Sequence, residues 1–328
     1  MSVSRVINGT RKVSSESERK VRAALERIGY EPNEAARVLK GQRSRVLGIV
    51  VPDLADPFFA TCANSIQEAA RVAGYVTWMA ATAHSEGVER EVTEAMVQRH
   101  VAGLLVVPNG SHNRHFARAA QGGIPIVSID RPLENVKADA VVVDNREATA
   151  RATKHLIEHG HRSILCVTDD YAISTRMERI AGYSEAMKQA KLSAQVCAVG
   201  PVGGSLSVQL NFALNTSTPA TAIFAESNLI AVQILHELQN RCLPIPNKIA
   251  LIAFDDFDAA TLIRPTVTVI RQPIAELGRQ ATDLLLSRLN KTGPSRSARI
   301  VIPTEFVLRE SCGCGKRSAK SRATSAMP

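Results

Sequence analysis

The chain has 328 residues, 45% of them hydrophobic, which is too long for one ordinary core and enough to fill two or three compact units. No stretch is apolar enough to span a membrane, and Met1 runs straight into Ser, Arg and Asn instead of a basic start and an apolar run. A membrane partner and a secretion signal are therefore not expected, and the cytoplasm is. The net charge of +9 sits at the ends: residues 1–45 hold eleven Lys and Arg against five Asp and Glu, and residues 311–328 add Lys316, Arg317, Lys320 and Arg322 without an acid. A near-neutral body with a basic arm points to a polyanion partner.

A merely solvated tail accounts for residues 311–328, but residues 1–45 also carry helix signals. Residues 2–7 read as the last turns of a helix that stops at Asn8-Gly9. Ser15-x-x-Glu18 reads as a capping box, and Val21, Ala24, Leu25 and Ile28 recur at helical spacing before Gly29, which predicts an amphipathic helix over 15–28. Two short helices about a tight turn suggest a small DNA-binding unit. Pro32 and Gly41 then frame another short helix that is marginal alone in water. Its one large apolar side chain, Leu39, is either a wedge for a DNA minor groove or packed on a neighbouring protein surface.

From residue 46 onward, short apolar runs at 46–51, 76–80, 104–107, 126–129, 164–167, 195–199, 222–224 and 249–254 predict buried strands. Amphipathic stretches at 59–72, 88–99, 148–158, 177–190 and 229–238 predict helices between them. This alternation implies the α/β class, with parallel sheets covered by helices and two lobes that meet at a crossover near 143–146. Ligands in such sheets sit beyond the carboxyl ends of strands. Asp53 and Asp56 follow the first strand, Asp130 and Arg131 follow 126–129, and Asp255 and Asp256 follow 249–254. Aspartates accept hydrogen bonds from hydroxyls or ring N–H groups, Arg offers a planar fork, and Phe58 or Phe59 can stack on a ring face, which suits a sugar or purine. At least one of the two phenylalanines is expected in the core, and Asp53 and Asp144 read better as loop or crossover caps.

The motifs of an enzyme are missing. His155-x-x-x-His159-Gly-His161 puts two imidazoles on one helix face, yet lacks the Glu of a metalloprotease motif and equally suits a helix end without metal. Gly200-Pro-Val-Gly203-Gly204 lacks the ending of a phosphate loop and reads as a plain loop. Cys62, Cys166, Cys197, Cys242, Cys312 and Cys314 lack Cys-x-x-Cys spacing and read as reduced thiols, with Cys312-Gly-Cys314 the one close pair, open to a tail metal or redox site. No enzymatic activity, metal or cofactor is expected.

Ser4-Arg-Val-Ile-Asn-Gly9, Val13-Ser14, Gly29-Tyr-x-Pro-Asn33 and Ala36-Arg-x-Leu39 fall in the order and spacing of the headpiece and hinge of the lactose-repressor (LacI/GalR) family. Gly48-Ile-Val-Val-Pro-Asp53, Asp56-Pro-Phe-Phe59, Ser128-Ile-Asp-Arg131, Val143-Asp-Asn145 and Phe254-Asp255 extend the match over nearly the whole chain. The sequence thus resembles a transcriptional regulator of that family. The resemblance implies a periplasmic-binding-protein-like body of two doubly wound lobes, preceded by a headpiece (1–31) and a hinge helix with linker (32–45). The body would cover 46–311, with one lobe at about 46–145 plus 273–303, the other at about 146–271 plus 304–311, and a flexible basic tail at 312–328.

The same resemblance implies double-stranded operator DNA and a second copy of the chain as partners. A small polar effector such as a sugar, sugar acid or purine in the cleft would set operator affinity, with repression as the expected outcome. Family members carry a first helix and turn ahead of the residue that matches Met1, so the helix-turn-helix reads as incomplete. An upstream start is the expectation, and a truly shortened chain that binds DNA poorly is the alternative. Carried over residue by residue, the DNA-contacting set is Ser4, Arg5, Asn8, Ser14, Asn33, Ala36 and Leu39, and the effector set is Asp56, Phe58, Phe59, Asp130, Arg131, Thr175, Arg179, Ser227, Asp255 and Gln272. Asp56 stands where Asn is frequent, Ser227-Asn228 replaces the usual Asn-Asp, and Val202 stands where an aromatic often stacks, which leaves the ring identity open. A sugar receptor of the same fold without a DNA role would explain the lobes but neither the basic arm nor the hinge.

Overall fold

The structure is a computed structural model, and it describes residues 14–28, 44–110, 112–169, 173–200 and 204–314. Helix α1 spans Ser15–Arg27. Its N-cap is Ser14, one residue earlier than the predicted capping box, with the Ser14 hydroxyl accepting from the Ser17 N–H. Lys20–Glu16 and Arg22–Glu18 ion pairs, one turn apart, line its exposed side. Such pairs add only tenths of a kcal/mol, roughly 0.3–0.5 each, so α1 depends on docking for stability. Of the proposed DNA contacts only Ser14 lies among the described residues; Ser4, Arg5, Asn8, Asn33, Ala36 and Leu39 lie outside them, as do the predicted hinge helix and Val202.

The body carries two sheets. In lobe 1, β1 (Val46–Val51), β2 (Val76–Ala81), β3 (Gly103–Val106), β4 (Ile126–Ile129), β5 (Asp139–Val143) and β11 (Arg299–Ile302) align parallel in the order β11-β5-β4-β3-β1-β2. In lobe 2, β6 (Ile164–Thr168), β7 (Gln195–Ala198), β8 (Ala222–Ala225), β9 (Ala250–Phe254), β10 (Thr268–Arg271) and β12 (Glu305–Val307) take the order β12-β10-β9-β8-β6-β7, with β12 antiparallel to β10. The two orders match position for position, so β4 and β9 are equivalent strands. The inner strands β3, β4, β5, β6, β8 and β9 are buried along their whole length, as parallel strands covered on both faces must be.

Helices α2 (Pro57–Val72), α3 (Glu86–Gln98), α4 (Arg114–Gln121) and α10 (Ile274–Leu289) cover lobe 1, and α5 (Asn145–Glu158), α6 (Ser174–Gln189), α7 (Leu206–Leu214), α8 (Asn228–Asn240) and the short α9 (Ala259–Leu262) cover lobe 2. Among the described residues no helix is long and apolar enough to cross a membrane. Helix α10 buries Leu277, Ala281, Leu284 and Leu285. It lies so close to α2 that a Cβ at Gly278 would sit 2.8 Å from the Cys62 carbonyl oxygen, so only glycine fits there.

The chain passes between lobes after β5, after β10 and after β11. Asp144 ties the first and last of these passages together, because its carboxylate accepts from the Thr304 N–H at 2.7 Å and from Arg151 at 2.9 Å. Asp256 turns away from the cleft and pairs with Arg271 and Arg309, both at 2.7 Å. Its role is thus to hold the middle passage, not to bind a ligand. The resemblance implies a flexible tail from residue 312 onward. The structure instead packs Cys312 into the body at 1% exposure, because Ser311 donates to the Leu251 carbonyl and accepts from the Thr268 N–H.

Candidate functional site

The carboxyl ends of β4 and β9 face one cleft. Each is followed by an aspartate in the left-handed backbone region, Asp130 at φ +66° and Asp255 at φ +68°. Each of these aspartates donates its backbone N–H to the next strand of its sheet, to Val141 and Ile270 respectively. Left-handed backbone is uncommon for a residue with a side chain, though Asp tolerates it better than most. Here it ends the strand abruptly and swings a carboxylate over the sheet edge.

The structure brings together all ten predicted effector residues. Asp56, Phe58, Phe59, Asp130 and Arg131 come from lobe 1, Thr175, Arg179, Ser227 and Asp255 from lobe 2, and Gln272 from the passage between them. They enclose a cavity of about 130 Å3, close to the roughly 150 Å3 that accommodates benzene, so one small molecule fits and a polymer does not. Two of the ten also hold helix ends: Asp56 caps α2 by accepting from the Phe58 N–H at 2.9 Å, and Ser227 caps α8. Phe58 and Phe59 are both buried and meet edge to face at 5.2 Å between ring centres, so each serves core and cleft at once.

Arg179 is the most constrained side chain of the site. Its Nε donates to Asn145 Oδ1 at 2.8 Å and its Nη1 to the Glu226 carbonyl at 2.9 Å, while its guanidinium lies 3.6 Å from the centre of the Phe254 ring. The Glu226 carboxylate is fully buried beside it, and it accepts from Thr168 Oγ1 and pairs with Arg176. Burial pushes the Glu226 carboxyl up to about 7, with Arg179 and Arg176 pulling the other way. Asp255 is pushed up to about 6 by burial, opposed by Arg179 and by a 2.6 Å hydrogen bond from Gln272.

Lobe 1 is less fully bonded. Arg131 donates to the Pro108 carbonyl and its Nε stands 3.3 Å from Asp130, too poorly aligned for a hydrogen bond. Asp130 Oδ1, Arg131 Nε and Gln272 Oε1 are all buried without a hydrogen-bond partner. Asp169 Oδ1 across the cleft also lacks a hydrogen-bond partner; orphaned buried polar atoms are costly, about 1–3 kcal/mol each, and four in one cleft mark a place for a ligand that pairs with them.

Asp169, Arg176 and His84 line this cleft without having been expected there, and Glu226 and Asn145, equally unexpected, stand behind it and hold Arg179. Glu226 directly follows a buried strand, and a charged residue there was a signal that could have found it. Asn145 was noticed only as part of a motif. Asp53 does line the cleft, but its carboxylate accepts from the Ala55 N–H at 2.9 Å and so closes its own loop, which supports the capping reading.

Comparison with known proteins agrees with this architecture. Residues 1–33 match the model of bacterial regulatory proteins of the lacI family, and residues 153–312 match the periplasmic binding protein-like domain. The chain is 30% identical over 324 residues to the HTH-type transcriptional regulator DegA of Bacillus subtilis, covering 94% of this chain and 93% of that one. It superposes on a transcriptional regulator CelR–cellobiose complex with a TM-score of 0.73 at 26% identity, covering 94% of each chain. It also superposes on the lac repressor dimer bound to operator and an anti-inducer with a TM-score of 0.80, covering 95% of this chain and 94% of that one, where 20% identity speaks for the fold alone. The chain therefore belongs to the lacI family of bacterial regulatory proteins, and it is a ligand-responsive transcriptional regulator and not an enzyme.

Proposed function

We propose that the chain is a cytoplasmic homodimeric repressor whose operator affinity is set by one small polar effector, a sugar, sugar acid or purine-like molecule, bound between the lobes by the ten residues named above. The observation that carries this reading is the convergence of Asp130 Oδ1, Arg131 Nε, Asp169 Oδ1 and Gln272 Oε1, four buried polar atoms without hydrogen-bond partners, on one cavity. A ligand hydroxyl both donates and accepts, so one such group satisfies Asp130 and Arg131 together. The cellobiose found with CelR is consistent with an effector of this class.

Coupling to DNA follows from the three short passages between lobes. A ligand that pulls the lobes together moves residues 44–46, and with them the segment proposed as headpiece (1–31) and hinge (32–45), in which Ser4, Arg5, Asn8, Asn33, Ala36 and Leu39 are the proposed DNA contacts with Ser14. Such coupling is reciprocal and typically worth about 1–3 kcal/mol. A second copy of the chain is supported by the edge strand β2, where Val76, Trp78 and Met79 are exposed alongside Val72 of α2. An exposed apolar sheet edge is an invitation to pairing that soluble proteins normally avoid.

A thermal-shift screen of sugars, sugar acids and purines tests the site. At least one compound is expected to raise the melting temperature of the native chain and leave Arg179→Ala unmoved. Equal shifts in both, or none across the panel, overturns the assignment. For the dimer, sedimentation of Met79→Lys is expected to show a protomer-sized species where the native chain shows twice that mass, and an unchanged dimer places the interface elsewhere.

A further inference from the structure

Helix α5 starts at Asn145, which holds Arg179, and carries His155 in its last turn, ten residues and about 15 Å away. There the turn after β12 brings up Cys312 and Cys314, and the ligand atoms of the three side chains all lie within 4.8 Å of one another. The Sγ atoms of the two cysteines are 3.1 Å apart, with Cys312 buried and Cys314 partly so. His155 Nε2 is buried with no hydrogen-bond partner of good geometry. The pairing His155–His159 that the sequence suggested does not form a ligand pair, because the His159 ring bonds to the His155 carbonyl at 2.7 Å and His161 bonds to Thr221.

The cluster is held by its surroundings. Ser311 fixes the turn to β9 and β10 through the Leu251 carbonyl and the Thr268 N–H, and Phe306 packs its ring against the His155 imidazole at 5.3 Å. Gly313, at φ +78°, reverses the backbone between the two cysteines in a conformation that a side chain would oppose. Two thiols and an imidazole, with no carboxylate in the cluster, select thiophilic and borderline cations over Mg2+ or Ca2+. Tetrahedral Zn2+, with Zn–S near 2.3 Å, sets its sulfurs about 3.8 Å apart, which lies between the 3.1 Å sulfur separation and the 4.8 Å span of the cluster.

We propose that His155, Cys312 and Cys314 form a binding site for one thiophilic cation, Zn2+ or Cu+, that fastens the turn at residues 311–314 to the end of α5. Two cysteines and a histidine supply three ligands, leaving a fourth position for solvent in the case of Zn2+ and a complete trigonal set for Cu+. Binding removes the thiol protons and joins segments more than 150 residues apart, so it stabilises the folded chain.

The test uses the full chain, reduced, stripped with a chelator, and titrated anaerobically with Zn2+ and separately with Cu+. Elemental analysis is expected to find one ion per chain, with a raised melting temperature, and the cation retained in competition with the other identifies which of the two the site prefers. Cys314→Ser and His155→Ala are each expected to weaken binding at least tenfold, while His159→Ala and the exposed-thiol control Cys242→Ser leave it unchanged. Because Cys314 is only partly buried, its serine variant is expected to fold, and Co2+ substitution gives a second readout, a sulfur-to-cobalt charge-transfer band that Cys314→Ser diminishes. Absence of stoichiometric binding for both cations, undiminished binding in Cys314→Ser, or a Cys312–Cys314 disulfide that persists under the reducing conditions overturns the proposal.

Discussion

The two halves of the cleft start from the same architecture and end in different states. In both, an aspartate in left-handed backbone closes an equivalent strand and an arginine lies against an aromatic ring, Arg131 near Phe59 and Arg179 over Phe254. In lobe 2 the arginine is clamped by Asn145 and Glu226, and Asp255 is tied to Gln272. In lobe 1 Asp130 Oδ1 and Arg131 Nε have no hydrogen-bond partner, and the two side chains meet only as a 3.3 Å ion pair. Lobe 2 thus presents a preorganised wall whose charges are already paired, whereas lobe 1 carries hydrogen-bonding capacity that only a ligand satisfies. Preorganisation lowers the cost of binding, and unsatisfied groups supply the gain.

The largest test of this asymmetry is Arg179→Ala. It removes one of the two arginines that face the buried Glu226 carboxylate, Arg176 being the other, together with the bonds to Asn145 and the Glu226 carbonyl, and a loss of up to about 3–5 kcal/mol is expected. Calorimetry is expected to show loss of effector binding together with a lower melting temperature. If stability is untouched, lobe 2 is not the rigid wall described above.

Asp130→Asn is expected to separate binding from stability, because Asn tolerates the left-handed backbone and the missing partner is the ligand's. Losing a charged hydrogen bond of about 1.5–3 kcal/mol lowers effector affinity roughly ten- to a hundredfold, while thermal unfolding of the free protein stays nearly the same. A fall in melting temperature as large as that of Arg179→Ala would erase the distinction between the lobes.

The mildest effect concerns pH. Because burial raises the Glu226 carboxyl to about 7 in the folded chain, its favourable contribution to stability is fully present below about 4.5 and is lost as pH rises through 7. Glu226→Gln stays neutral throughout. Its melting temperature relative to the native chain is therefore expected to climb between pH 5 and 8 in thermal scans. A flat difference would mean that Arg176 and Arg179 keep the carboxylate ionised in the folded state over that whole range.

Much of the fold was legible because parallel strands are short, apolar and locally patterned: Val46–Val51 and Ile126–Ile129 were read with their observed bounds, and the predicted helices came out a few residues longer at their starts. The strands at Asp139–Val143, Thr268–Arg271, Arg299–Ile302 and Glu305–Val307 were not read as such. The last three lack an uninterrupted apolar run of their own, since Thr268, Arg271, Arg299 and Glu305 break the pattern, and they are defined by the hydrogen bonds that neighbouring strands offer them.

What the sequence by itself determined is the alternation of strand and helix, the basic arm, and the polar residues placed just beyond strand ends, since each depends on neighbours only a few positions away. Which of those residues meet was decided by the tertiary structure alone. Strand order set the ends of β4 and β9 toward one cleft, so that Asp130 and Asp255, Arg131 and Arg179 came to share a cavity, while Glu226 and Asn145, which local pattern had not marked, hold Arg179 behind it. The same holds for His155 with Cys312 and Cys314, brought together only because the chain returns to lobe 2 for β12. Contact between distant positions depends on how whole elements bury their faces against each other, and no window of the sequence contains that information.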